Sequence, residues 1–395
     1  MTAFLNTVGI RCALGRGQDA VREAMWQADA PMAGEVTDRY SPGRQLLLGT
    51  VNDLADDAAP AHTDPRHRSR NNAMLLDALA QVRPAVDDAI ARVGPARVAV
   101  VMGTSTSGIR EGELAVQALV RSDAFPQRYH YGQQELGSPA SFLAGMLGTK
   151  GPAYTISTAC SSSAKALAAG ARLLRHGLAD VVIAGGVDTL CAFTVAGFSA
   201  LESVSAARCN PLSANRNGIN LGEGAALFLM SREPGPVRLA GWGESSDAYH
   251  VSAPDPQGKG ARLAMQQALA RAGIGADAID YVNLHGTATP ANDVMEAHAV
   301  ADVLGREVPV SSTKPLTGHT LGAAGAIEAA LMWLTLIGNP HGRLPPHWWD
   351  GAADAALPAL HVAGPGGTLG RAPRNVMSHS FAFGGSNCVL VLGEG

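Results

Sequence analysis

Residues 154–163, Tyr-Thr-Ile-Ser-Thr-Ala-Cys-Ser-Ser-Ser, constrain this chain more than any other stretch. They read as a buried strand running into a sharp turn that carries Cys160, followed by a helix over 164–176 that stops at Gly177. Ala164, Leu167, Ala168, Ala171 and Leu174 recur about every 3.6 residues and so share one helix face. Ser161, Ser162 and Ser163 offer capping hydroxyls at its start, and Gly177 sits where a left-handed cap belongs. Residues 180–186, apolar after Asp180, return as a second strand, which makes a β-α-β unit on a buried parallel sheet. Cys160 thus stands near a helix N-terminus, whose free N–H groups and positive dipole end are expected to lower its pKa below about 8.5 and to bind anions. By itself the stretch fits a hydrolase nucleophile, a redox cysteine or a buried structural thiol.

The rest of the composition narrows the class. A chain of 395 residues is long enough for two to three domains. With 46% hydrophobic and only 16% charged residues, and 46 glycines, much of it must be interior or tight turn. A net charge of -4 gives no general attraction to nucleic acid or to an anionic membrane. The five cysteines are scattered without CxxC spacing, so neither a disulfide framework nor a metal site is expected, and a reducing cytoplasm fits best. The first twelve residues lack a basic run followed by a long apolar one, so no signal peptide is expected. Residues 320–338 are apolar, but Glu328 lies inside them and Gly and Ala fill their first half, which reads as a buried helix rather than a membrane span.

Along the chain, a strand at 4–9, a helix at 18–26, an irregular polar stretch at 39–65, a helix at 71–93 and a strand at 97–102 precede the cysteine unit. A glycine-bracketed turn at 218–224 leads into a strand at 225–230. The linker-like run at 231–236 divides the chain into halves 1–235 and 236–395. The second half then repeats the order of the first. Residues 281–289 echo 100–106, Ser311-Ser312-Thr313 with the helix after it echoes Ser157-Thr158 and its helix, and 383–390 echo the turn and strand at 222–230. Three echoes in one order point to a duplicated α/β unit.

Of the 12 histidines, His285 and His319 follow strand ends in Gly/Thr-rich loops, where open α/β sheets place their ligands. At this point the chain resembles a family. Thr158 to Ser163, His285-Gly286-Thr287-Ala288-Thr289-Pro290-Ala291-Asn292-Asp293, Lys314-Pro315-Leu316-Thr317-Gly318-His319 and Phe381-Ala382-Phe383-Gly384-Gly385-Ser386-Asn387 together resemble the elongating β-ketoacyl-(acyl carrier protein) synthases. The resemblance implies a thiolase-like α/β fold, two duplicated halves in a five-layer αβαβα arrangement, and a Cys-His-His site.

By position, Cys160 would carry the acyl chain as a thioester, with its own amide and that of Phe383 as the oxyanion hole. His285 and His319 would bind malonyl thioester and hold the enolate formed on decarboxylation. Lys314 and Glu328 match a supporting ion pair that orients His319. Thr287 and Thr289 match hydroxyls that contact the phosphopantetheine arm, and Phe381 and Phe383 an aromatic pair of which one gates the acyl chain. The acyl tunnel is expected to draw on Cys191, Phe193, Val195, Phe198 and the 104–108 loop. Arg66, Arg68 and Arg70 form a basic cluster that could dock an acidic carrier protein. No cofactor is implied, and the partners would be acyl carrier protein and either a second copy or a ketosynthase-like chain-length partner. Two positions depart from the family pattern: Ala382 stands for the usual Gly, restricting the gate loop, and Ser386 for the usual Thr. Cys388, which thiolases would offer as a second catalytic cysteine, follows the glycines within a strand and reads as core. The whole is similar to ketosynthases of bacterial aryl-polyene clusters; housekeeping fatty-acid elongation is the alternative, and a noncatalytic partner subunit the reading from another class.

Overall fold

The computed structural model describes residues 2–27, 34–55 and 63–395. Its first half contains β1 (Ala3–Cys12), β2 (Gly15–Arg16), α1 (Gln18–Trp26), β3 (Glu35–Thr37), β4 (Leu46–Leu48), α2 (Arg70–Val93), β5 (Val98–Gly103), α3 (Ile109–Ser122), α4 (Ser138–Leu147), β6 (Ala153–Ile156), α5 (Ser162–Arg175), β7 (Val181–Asp188), α6 (Ala192–Ala200) and β8 (Gly224–Ser231). The second contains β9 (Val237–Ser246), α7 (Lys259–Ala272), β10 (Tyr281–Asn283), α8 (Pro290–Leu304), β11 (Val310–Ser311), α9 (Lys314–Thr317), α10 (Ala324–Leu336), β12 (Asn375–Phe381) and β13 (Ser386–Glu394).

The main sheet runs β11-β10-β12-β13-β9-β1-β8-β7-β5-β6. Outward from the central pair, the first half reads β1, β8, β7, β5, β6 and the second β9, β13, β12, β10, β11. Numbered along the chain within each half, both are first, fifth, fourth, second, third. Directions match as well: β5 lies parallel to β6 and β7 as β10 does to β11 and β12, while β7–β8 and β12–β13 are antiparallel. The three sequence echoes fall on equivalent elements, β5 with β10, β6 and α5 with β11 and α10, and β8 with β13. The duplication legible in the sequence is therefore the repeat that builds the sheet.

Helices complete five layers. α2 and α4 cover one face of β5, β7 and β8 through residues such as Met74, Leu79 and Leu143. α7 and α8 cover β10, β12 and β13 through Met265, Met295 and Val300. Between the two sheet halves, α5 and α10 pack on one another and are buried almost throughout. Their composition follows from that crossing. A Cβ on Gly325 would lie 2.7 Å from the backbone nitrogen of Ala164, so no larger residue fits without separating the helices.

Local expectations met three corrections. β6 is not buried: it is the edge strand, paired only with β5, and Tyr154 is 38% exposed. The stretch read as irregular holds β4, which pairs with β3 just before it and whose Leu46 and Leu48 are fully buried, because three consecutive leucines can cover apolar surface despite polar flanks. The serine hydroxyls do not cap α5; Ser162 Oγ instead donates to Ala159 O and accepts from the Thr158 amide, fixing the turn itself. Gly177 does close the helix, at φ 68°, with its amide on Leu174 O and that of Leu178 on Leu173 O. Among the described residues, no helix is long and apolar enough to cross a membrane.

Candidate active site

Three backbone devices bring Cys160, His285 and His319 together. Cys160 sits in the turn between β6 and α5, preceded by Ala159 at φ 52°, a left-handed conformation that costs an alanine roughly 1–2 kcal/mol. The turn is held against that strain by Ser105 Oγ and Ser162 Oγ, both donating to Ala159 O. His285 lies just beyond β10, and the amides of His285 and Gly286 both donate, at 2.7 Å, to the carboxylate of Glu296 on α8. His319 follows α9. Its amide donates to Asn220 O and its carbonyl accepts from Gly222 N. Gly222 is required there, since a Cβ would stand 2.5 Å from Thr317 O.

The side chains converge in a buried pocket. His319 Nε2 lies 3.1 Å from Cys160 Sγ. The two imidazoles stand nearly perpendicular, with centroids 5.4 Å apart. Phe381 lies edge-on to His285 at 6.3 Å. Beneath them Lys314 and Glu328, each almost wholly buried, pair at 2.5 Å. Burial and the nearby Lys314 ammonium push both histidines well below their usual pKa, so both are neutral at physiological pH.

The thiol departs from expectation. Burial drives Cys160 up to about 11, against the opposing pull of Lys314, the Phe383 amide and its own amide. Helix-end and charge effects are present, but desolvation of a fully enclosed sulfur outweighs them. A group with a raised pKa holds its proton until pH approaches that value. Alkylation of Cys160 by iodoacetamide is therefore expected to quicken about tenfold per pH unit between 7 and 10. A plateau near pH 8 in the rate profile, followed by peptide mass analysis, would show an activated thiolate instead.

Other anticipated residues divide. The amides of Phe383 and Cys160 both act on the thiol, opposing the rise of its pKa. The Phe383 ring packs on Phe198 at 5.5 Å. Thr287 and Thr289 hydroxyls meet at 2.9 Å beside His285. Phe193, by contrast, is 67% exposed on the outer face of α6 and does not reach the pocket in this single chain. Cys388 is buried in β13, as core. Arg66 is exposed but paired with Asp64, and Arg68 donates to Thr63 O. Arg70 is wrong as a docking residue: it is buried and bonded to Glu223 and to the carbonyls of Val51 and Leu54. An arginine at the start of a helix is indistinguishable in sequence from the exposed Arg66 and the half-buried Arg68 before it.

Two carboxylates went unnoticed in the sequence. Glu296 also accepts from His379 Nδ1, and with Asn292 it forms an (i, i+4) face turned back to the strand end, a spacing the sequence does carry. Asp188, fully buried, accepts from the amides of Ser105, Thr106 and Gly322 and the hydroxyls of Thr104 and Thr106. It joins the end of β7 to the loop behind His319. Sulfur and imidazole nitrogens within 4.8 Å of one another are also a donor set of the kind that holds soft cations. A ligating histidine is ordinarily anchored through its second nitrogen; here Nδ1 of His285 and of His319 are buried without a partner.

Comparison with known proteins agrees with this geometry. The model of the β-ketoacyl synthase N-terminal domain matches residues 8–234, and that of the C-terminal domain residues 237–348. A 3-oxoacyl-(acyl-carrier-protein) synthase 2 of Vibrio cholerae is 33% identical over 323 residues, 75% of each chain. Among solved structures, the ketosynthase ApeO in complex with its chain length factor ApeC from Xenorhabdus doucetiae superposes at TM-score 0.93 with 46% identity, covering 100% of this chain and 98% of that one. A β-ketoacyl synthase from Burkholderia phymatum gives TM-score 0.86 at 26% identity, covering 100% and 99%. Fold, pocket and both halves of the sequence lead to the same conclusion: this chain belongs to the β-ketoacyl synthase family, whose members are condensing acyltransferases.

Proposed function

We propose that the chain joins an acyl group on Cys160 to malonyl-carrier protein by decarboxylative Claisen condensation. The observation that carries this is the neutral, buried pair of imidazoles grouped with a protonated thiol, His319 Nε2 standing 3.1 Å from Sγ. In the first step the Cys160 sulfur attacks the acyl thioester of the carrier arm, the carrier C–S bond breaks, and the thiol proton passes to the departing carrier thiolate. The amides of Cys160 and Phe383 receive the oxyanion, a contribution on the order of a hundredfold per donor. In the second, the malonyl carbon–carboxylate bond breaks, CO2 leaves, and its electron pair forms an enolate. Neutral imidazoles can donate to that enolate oxygen, and with Nδ1 unpartnered the tautomer bearing hydrogen on His319 Nε2 leaves only a lone pair unmet. The carbanion attacks the acyl-Cys160 carbonyl, the C–S bond breaks, and the cysteine thiolate takes a proton from solvent. Burial, aided by Lys314 held by Glu328, keeps both rings neutral.

In this reading the Thr287 and Thr289 hydroxyls contact the phosphopantetheine arm, and Arg66 and Arg68 remain for a carrier-protein surface. Substrates arrive as thioesters, so no cofactor is called for, and the reaction belongs in the cytoplasm. The partner is a second ketosynthase-like subunit. Exposed Val116, Val120, Phe193 and the open edge of β6 are apolar surface and unpaired backbone that such a subunit would cover, and the 46%-identical relative was solved with its chain length factor. The product chain is of the aryl-polyene type. With carrier-bound saturated and aryl-enoyl acyl groups assayed in parallel, the aryl-enoyl group should turn over faster. Equal or better turnover of the saturated chain sinks the polyene assignment in favour of fatty-acid elongation.

A further inference from the structure

The two amides that act on the Cys160 thiol come from segments more than two hundred residues apart, so something must set their spacing. Ser386, which closes the turn bearing Phe383, receives two side chains from α5 and its cap. Lys165 Nζ donates to Ser386 Oγ at 2.7 Å, and Ser386 Oγ lies 3.2 Å from Ser161 Oγ. Lys165 and Ser161 are one helical turn apart, joined by the Lys165 amide on Ser161 O, so both project from one face. Ser161 Oγ is fixed in turn by Thr158 O at 2.9 Å. On the other side, Ala382 N donates to Ser386 O and Gly385 N to Ala382 O, which closes 382–386 into a rigid turn around Phe383. Among the described residues the Lys165 ammonium has no carboxylate partner; its hydrogen bond goes to a neutral hydroxyl. The half-buried Lys165, in the first turn of α5, is thus committed to one oxygen of the Phe383 turn.

We propose that Lys165 and Ser386 are positioning residues that clamp the Phe383 turn to the nucleophile turn and so set the separation of the two oxyanion donors. The inference rests on the reading of those amides given above. The clamp works on the transition state of acyl transfer, where oxygen charge develops, and leaves carrier binding alone. It also gives the Ser386 position a requirement: a hydroxyl, which serine or threonine meets and alanine does not.

Single-turnover acylation of Cys160 by an octanoyl-carrier thioester tests this, read by intact-protein mass and run over a range of carrier concentrations. Lys165→Met and Ser386→Ala should each lower the limiting rate about ten- to hundredfold, with the half-saturating concentration unchanged. Ser386→Thr should retain the parent rate, and the double variant should be no slower than the slower single one, as expected of residues acting as a unit. A limiting rate in Lys165→Met equal to the parent's overturns the clamp, as does Ser386→Thr as slow as Ser386→Ala, or losses that multiply in the double variant. A parent enzyme that takes no acyl group would remove the proposed function and the clamp together; a parent that acylates beside unaffected variants removes the clamp alone.

Discussion

Cys160→Ala is expected to abolish condensation, by on the order of 10⁴-fold or more, while release of CO2 from malonyl-carrier protein persists within roughly tenfold of the parent. The two half-reactions use different atoms. Acyl transfer needs the sulfur, which no neighbour can replace: the other four cysteines are buried, and Cys388 lies within β13. Decarboxylation needs donors for an enolate oxygen, which His285 and His319 supply without the thiol. His285→Ala should therefore show the opposite split, with Cys160 still acylated and CO2 release reduced about 10²- to 10³-fold, the typical cost of one oxyanion donor. Carrier-bound acyl and malonyl groups followed separately by mass and by CO2 capture distinguish the patterns. Loss of both half-reactions in both variants would mean that the trio acts as one folding unit and not as two chemical ones.

Asp188→Ala should be among the most destabilising single changes in the chain. Its carboxylate accepts three backbone N–H groups and two hydroxyls in a fully enclosed site. The hydroxyls can turn to other acceptors; the amides of Ser105, Thr106 and Gly322 cannot. At about 1–3 kcal/mol for each buried donor left unmet, the loss is on the order of 3–9 kcal/mol, comparable to the whole stability of many domains. Burial raises the Asp188 carboxyl above its ordinary value, and the five donors oppose that shift. Urea denaturation read by tryptophan fluorescence should place the variant's midpoint far below the parent's, or the variant should fail to fold. A stability change under about 1 kcal/mol would show that the loops can satisfy themselves without the carboxylate.

Much of this could be read from the sequence because the determinants are local. The β6–Cys160–α5 unit declared itself through helical periodicity and a glycine stop, and the duplication through order alone. The histidines stood in loops whose composition permits close backbone approach, as at Gly222 against Thr317. What escaped depends on distant neighbours. The Cys160 pKa is set by how fully the fold encloses the sulfur, which a dipole argument from one helix does not contain. β6 looked buried because its sequence is apolar, yet its position at the sheet edge is a matter of topology. Arg70 turned inward to Glu223, 153 residues later, and Lys165 meets Ser386 across 221. Such pairings leave no trace in spacing.

The central claim is a covalent acyl intermediate on one sulfur that is then consumed by carbon–carbon bond formation. Incubation with acyl-carrier protein followed by intact and peptide mass analysis should show one acyl group on the peptide containing Cys160. Subsequent addition of malonyl-carrier protein should return the enzyme to its free mass and yield a 3-oxoacyl-carrier product two carbons longer. An enzyme that stays unmodified, an acyl group on a different residue, or an adduct that malonyl-carrier protein releases only as free acid would contradict the account.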